Sequence, residues 1–176
     1  MPRALAYATL PTEQPHPASR QLDRLSLDRL LRLIHREDAT IPRAVARQRP
    51  QIHRAVALIV RRLRGGGRLF FVGAGTSGRL GVLEAAECPP TFNTPPTLVQ
   101  AVMAGGRGAV FRSREGAEDD RRAAVRTIRQ RIRAGDVVVG VAASGVTPFV
   151  EASLQTARTR NASTILVTCN PRRRTR

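Results

Sequence analysis

The sequence predicts a three-layer α/β/α sandwich around a mainly parallel sheet, preceded by helices at the N-terminal end. Three observations carry this prediction. Short β-branched or aromatic runs such as Asp136-Val-Val-Val-Gly-Val-Ala142 have the length and apolar continuity of strands buried on both faces. Between them lie segments of helical periodicity long enough to act as crossovers. A glycine turn, Gly73-Ala-Gly-Thr-Ser-Gly78, follows the first such run directly, as a strand-to-helix turn does.

Residues 1–19 carry four prolines and little periodicity, which predicts an extended lead-in. Residues 20–64 read as N-terminal helices. Leu22, Leu25, Leu27, Leu30, Leu31 and Ile34 follow helical spacing, and a second helix is predicted from Ile41 to Arg64 with a break or kink at Pro50. Gly65-Gly66-Gly67 stops it. Residues 65–176 then form the α/β domain. Its predicted elements are a strand at 69–72, a helix over 77–87 closed by Pro89-Pro90, and a strand at 98–103 ending in Gly105-Gly106. A helix over 117–132, a strand at 136–142, a helix over 147–160 and a strand at 164–168 complete it.

Composition narrows the function. A chain of 176 residues holds one domain with a sizeable core, and 41% apolar residues suit a globular protein. The net charge of +17 resembles that of a nucleic-acid binder. Yet all 30 basic residues are arginine, they are spread along the whole chain, and aromatics reach only 3%, too few for stacking platforms. The charge reads as solvated surface, with no nucleic-acid partner. Cys88 and Cys169 form no C-x-x-C pair, and the three histidines add no zinc spacing, so no metal is expected and the thiols suit a reduced cytoplasmic setting. The N-terminal residues lack a continuous apolar h-region and the longest aliphatic run, Ala55 to Val60, is too short to span a bilayer.

The glycine turn satisfies G-x-G-x-x-G but lacks the acidic residue that a dinucleotide's ribose requires, since the second strand ends Met103-Ala-Gly-Gly106. No G-K-[ST] is present for a nucleotide-triphosphate loop. What remains is a helix N-terminus with paired hydroxyls, Thr76 and Ser77, beside Gly75. A loop of similar chemistry, Ser144-Gly145-Val146-Thr147, follows the third strand. Two such loops at the carboxyl edge of one sheet suit a compact phosphomonoester; the plainer reading makes Ser77 and Thr147 N-caps.

Several stretches together resemble the N-acetylmuramic acid 6-phosphate etherases, a branch of the sugar isomerase (SIS) domain proteins related to the glucokinase regulatory proteins. They are TEQPHPASRQLDRLS, IHREDATIPRAVA, GGGRLFFVGAGTSGRLGVLEAAECPPTFNTPP, REGAEDD, DVVVGVAASGVTPF and CNP, from Thr12 to Pro171. The resemblance implies a flavodoxin-like SIS fold and a cytoplasmic, cofactor-free lyase of amino-sugar and peptidoglycan recycling. Such a lyase acts as a homodimer. It removes the D-lactyl ether at C3 of the sugar phosphate by elimination, then hydration. It further implies two catalytic glutamates: Glu87 of E-C-P-P as proton donor and Glu118 of E-G-A-E-D. Gly75, Thr76, Ser77, Ser144, Gly145 and Thr147 are implied substrate-binding residues. A last-turn position favours a protonated Glu87 and a first-turn position an ionised Glu118, which fits acid and base roles. Without the resemblance both are solvated helix-end acids, and Cys88 is a packing residue.

The sequence also departs from that family. Val146 replaces the usual arginine of S-G-x-T-P, and Glu84 the usual aspartate. Family members continue past C-N-P, whereas here Arg-Arg-Arg-Thr-Arg follows Pro171, which reads as an out-of-frame sequence or an early stop. A C-terminally truncated chain with an incomplete site and an open fourth strand is therefore expected, with a catalytically impaired fragment or a sugar-phosphate-binding regulatory SIS protein as the alternatives.

Overall fold

The computed structural model describes residues 9–170; the arginine-rich tail and the first eight residues of the lead-in lie outside them. The chain divides into two compact units, Met1–Ala57 and Leu58–Arg176.

In the first unit, the described part of the expected extended lead-in contains single 3-10 turns at Pro11–Glu13 and Pro17–Ser19. Each opens on a proline whose fixed φ suits a first turn and whose missing N–H costs nothing there. Helix α1 (Leu27–Asp38) begins later than Leu22 because Ser26 caps it, accepting a hydrogen bond from the Arg29 amide. The 41–64 segment is two helices, α2 (Ile41–Arg47) and α3 (Arg49–Arg64), divided at Gln48. Pro50 cannot donate to Ala46, which is why the break falls there.

In the second unit α3 ends in a Schellman motif: the Gly67 amide bonds the Arg62 carbonyl, the Gly66 amide bonds that of Leu63, and Gly66 has φ +78°. Four parallel strands follow, β1 (Leu69–Gly73), β2 (Val99–Met103), β3 (Val137–Val141) and β4 (Ser163–Val167), in spatial order β2-β1-β3-β4. Their crossovers carry α4 (Gly75–Phe92), the short α5 (Gly108–Phe111), α6 (Arg121–Arg131) and α7 (Pro148–Thr159).

Side chains alternate across the sheet with period two. Phe70, Val72 and Val138 pack on one face with Ala124, Ile128, Phe149 and Leu154 of α6 and α7. Leu69, Val137 and Val139 pack on the other with Ile59 and Leu63 of α3 and Ala85 and Cys88 of α4. This is the predicted parallel three-layer sandwich. Among the described residues β4 pairs only with β3, and its last residue, Val167, is 52% exposed.

One expectation fails at α4. Its helix does not close before Pro89-Pro90 but runs through both prolines to Phe92, where Asn93 stops it in the left-handed region (φ 52°). The prolines remove the donors for the Ala85 and Ala86 carbonyls, yet their φ is helical. Ala85 and Cys88, packed against the sheet, hold this part of the helix in place.

The glycines of the turn have separate tasks. Gly75 takes φ +54°. Gly73 and Gly78 let strand and helix touch: a Cβ on Gly78 would lie 2.8 Å from the Gly73 carbonyl oxygen and 2.9 Å from Met103 Cγ. Gly78→Ala is therefore expected to lower stability by about 2 kcal/mol, measured by urea unfolding, because strand and helix backbones must separate.

Candidate sugar-phosphate site

Three loops leave the sheet at one level, because the last residues of β2, β1 and β3 are in register: Gly73 pairs with Met103 on one side and Val141 on the other. They are the glycine turn, the long crossover 104–120 and the Ala142–Thr147 loop.

At the glycine turn, Ala74 is the N-cap of α4, which places Gly75, Thr76 and Ser77 in its first turn. Ser77 does not cap the helix, and neither its hydroxyl nor that of Thr76 bonds a described residue. The first-turn amides and these hydroxyls are thus available to an anion, and the helix dipole favours one. In the Ala142–Thr147 loop, Gly145 (φ +73°) lies against Thr168, where an added Cβ would be 2.8 Å from its hydroxyl. Ser144 Oγ accepts from the Val146 amide at 3.3 Å, and Asn170 Nδ2 donates to the Ser144 carbonyl at 2.8 Å. Thr147 is the N-cap of α7 but makes no side-chain cap bond. Val146 is 2% exposed, an interior-facing position for valine.

The crossover supplies an acid. Gly116 (φ +72°) precedes a single 3-10 turn, Ala117–Asp119, and Asp120 then caps α6 by accepting from the Ala123 amide at 2.8 Å. Glu118 therefore precedes α6 instead of occupying its first turn, since aspartate is the better cap. Glu87, with α4 extended to Phe92, is internal to its helix and not at its last turn. Both dipole expectations lose their structural basis, as the effect is confined to first and last turns.

A cavity of about 200 Å³ joins turn and crossover. Gly75 and Glu118 both line it, together with Arg79, Ser113, Arg114 and Glu115. Thr76 and Ser77 sit beside it on the first turn of α4. Ser144, Gly145, Thr147 and Glu87 do not line it. Glu87 is exposed and eleven residues beyond Thr76 in the same helix, about 16 Å along its axis. Arg79 and Arg114 escape a reading of the sequence because arginine on a helix or loop looks like solvated surface. The available signal was spacing: Arg79 is four residues from Gly75 and shares its helix face.

Residues 51–158 match the family described as Glucokinase regulatory protein N-terminal SIS domain. The chain belongs to it. The same fold is found in solved structures of low sequence identity. The phosphoheptose isomerase from Neisseria gonorrhoeae superposes with a TM-score of 0.63 at 21% identity, covering 80% of this chain and 73% of its own. A phosphoheptose isomerase from Francisella tularensis gives 0.58 at 16% identity, over 82% and 74%. In sequence the chain is similar to proteins named N-acetylmuramic acid 6-phosphate etherase. It is 53% identical to that of Symbiobacterium thermophilum over 92% of this chain and 54% of the relative. It is 53% identical to that of a Nostoc species over 91% and 52%. The chain spans about half the length of the curated relatives it matches. Among the described residues no helix is long and apolar enough to cross a membrane.

Proposed function

We propose that this SIS-domain chain carries the acid–base site of a carbon–oxygen lyase acting on N-acetylmuramic acid 6-phosphate, in the cytoplasmic recycling of peptidoglycan amino sugars. The observation that supports the reading is a single cavity lined both by Gly75, in the N-terminal turn of α4, and by Glu118. The phosphate sits on the amides of Gly75, Thr76 and Ser77 and on the two hydroxyls. Ser144, Gly145 and Thr147 approach the same sheet edge and contact the sugar.

Glu118 takes the C2 proton of the open-chain sugar, whose C1 aldehyde makes that proton acidic. The electron pair forms the C2–C3 double bond and the C3–O bond breaks. Glu87 acts as the general acid, giving a proton to the departing lactate oxygen. Water then adds at C3 and a proton returns to C2, which yields N-acetylglucosamine 6-phosphate and D-lactate.

Glu87 reaches this chemistry from a second copy of the chain. On α4, Thr76, Leu80, Leu83 and Glu87 recur at helical spacing, and Leu80 and Leu83 are 52% and 55% exposed. Two such helices packed antiparallel about the midpoint between Leu80 and Leu83 set each Leu80 against the other's Leu83. The same symmetry sets each Thr76 against the other's Glu87.

The test is D-lactate release by the purified chain, followed by mixing of inactive variants. Glu87→Gln and Glu118→Gln are each expected to be inactive. Unfolded together and refolded as an equal mixture, they regain about a quarter of wild-type activity, because half the dimers are mixed and each mixed dimer holds one intact site. A mixture that stays inactive while both variants dimerise overturns the shared site. Binding of the sugar phosphate without any turnover by the wild-type chain would favour the regulatory reading.

A further inference from the structure

Glu118 stands on a crossover with little structure of its own. The 3-10 turn that carries it has no buried residue, and α5 is only four residues long. Such a helix cannot satisfy its own final carbonyls. Arg79 of α4 satisfies two of them from outside: Nε donates to the Val110 carbonyl at 2.8 Å and Nη2 to that of Ala109 at 2.9 Å. Arg79 is one helical turn from Gly75, and both line the cavity that Glu118 lines. The crossover is tied at its base as well, where Arg114 donates to the Gly105 carbonyl at 3.1 Å. Gly105 (φ +80°) lies so close beneath Ala117 that an added Cβ would be 3.3 Å from its methyl group.

We propose that Arg79 is a positioning residue, a strut from the phosphate-binding helix to the crossover that fixes the Glu118 carboxylate relative to the first turn of α4. Its fork suits the task, since two parallel donors meet two consecutive carbonyls, whereas a lysine presents one compact ammonium. Removing the strut leaves Gly75, Thr76 and Ser77 in place but frees the base. Displacement of a catalytic group by about 1 Å costs on the order of a hundredfold in rate.

The kinetic consequence rests on the etherase reading; the structural one does not, and the experiment separates them. With the full chain and N-acetylmuramic acid 6-phosphate, Arg79→Met is expected to lower kcat about a hundredfold with KM within about threefold. Arg79→Lys is expected to recover about tenfold of that loss. A kcat for Arg79→Met within threefold of wild type, or for Arg79→Lys equal to wild type should the methionine variant not fold, overturns the proposal. If the wild-type chain itself releases no D-lactate, the etherase reading of this chain fails, and the strut is read by amide hydrogen exchange. The amides of Val110, Arg112 and Asp119, bonded to Arg107, Gly108 and Gly116 carbonyls, then exchange at least about tenfold faster in the Arg79 variants. Unchanged exchange at these amides overturns the proposal.

Discussion

Glu118→Gln is expected to lower D-lactate release by about a thousandfold with little change in stability. A positioned base contributes on the order of 10² to 10⁴ to a proton abstraction, and glutamine keeps the shape of glutamate while losing the ability to take the proton. Glu118 is exposed and forms no ion pair or side-chain hydrogen bond with a described residue, so the fold does not depend on its charge. The thermal midpoint is expected to stay within about 2 °C of wild type. KM is expected to change little, since the proposed phosphate contacts at the first turn of α4 are untouched by the substitution. A variant that retains a tenth or more of the wild-type kcat would assign the base to another group. Steady-state assay of lactate beside a melting curve gives both answers.

The largest effect on stability is expected from Asp136, at the start of β3. Its carboxylate is fully buried and accepts hydrogen bonds from the Arg68 amide at 3.0 Å and the Arg133 amide at 2.9 Å. The Arg68 guanidinium donates to both its oxygens, at 3.2 and 2.7 Å. Arg68 in turn lies over the Phe70 ring at 4.9 Å, and Arg131 lies at 5.5 Å from the same ring. Burial, and then the nearby charge of Arg68, holds Arg131 below the usual arginine range. Asp136 is thus the anion at the amino edge of the sheet, where the ends of β1 and β3 meet. Asp136→Ala strands these donors, and breaking a buried pair of this kind costs about 3 kcal/mol or more. Asp136→Asn is expected to do little better, because one oxygen facing two donors becomes an amide that is itself a donor. A fall in thermal midpoint of roughly 10 °C for either variant is expected. A loss under about 1 kcal/mol in urea unfolding would show that the cluster is not structural.

The strands were legible in the sequence because β-branched runs bounded by glycine and proline leave few alternatives. Asp136–Ala142 and Leu69–Val72 became β3 and β1 with edges moved by a residue. The helix beginnings were less so. Ser77 looked like a cap, but the chain turns already at Gly75, where only glycine adopts φ +54° without strain. The end of α4 is not legible in the sequence because prolines normally end helices, whereas here tertiary packing of Ala85 and Cys88 prevails over the loss of two donors. That single difference also moved Glu87 away from a helix terminus. Short α5 carried no periodic signal, so neither it nor the strut that Arg79 makes to it was visible. The cavity itself could be foreseen only as two motifs, G-A-G-T-S-G and E-G-A-E-D; the register of Gly73 with Met103 brings their loops out at one sheet edge.

In the proposed reaction a base beside the phosphate turn opens the ether by elimination, and water then adds to the sugar. Turnover of N-acetylmuramic acid 6-phosphate by the wild-type chain in ¹⁸O-labelled water, followed by mass spectrometry of both products, tests it most directly. Elimination and hydration put one heavy oxygen at C3 of N-acetylglucosamine 6-phosphate, beside the solvent exchange of its C1 oxygen through the open-chain aldehyde, and none in D-lactate beyond the slow exchange of its carboxylate. Heavy oxygen on the lactate C2 hydroxyl, or no lactate formed at all, would contradict it.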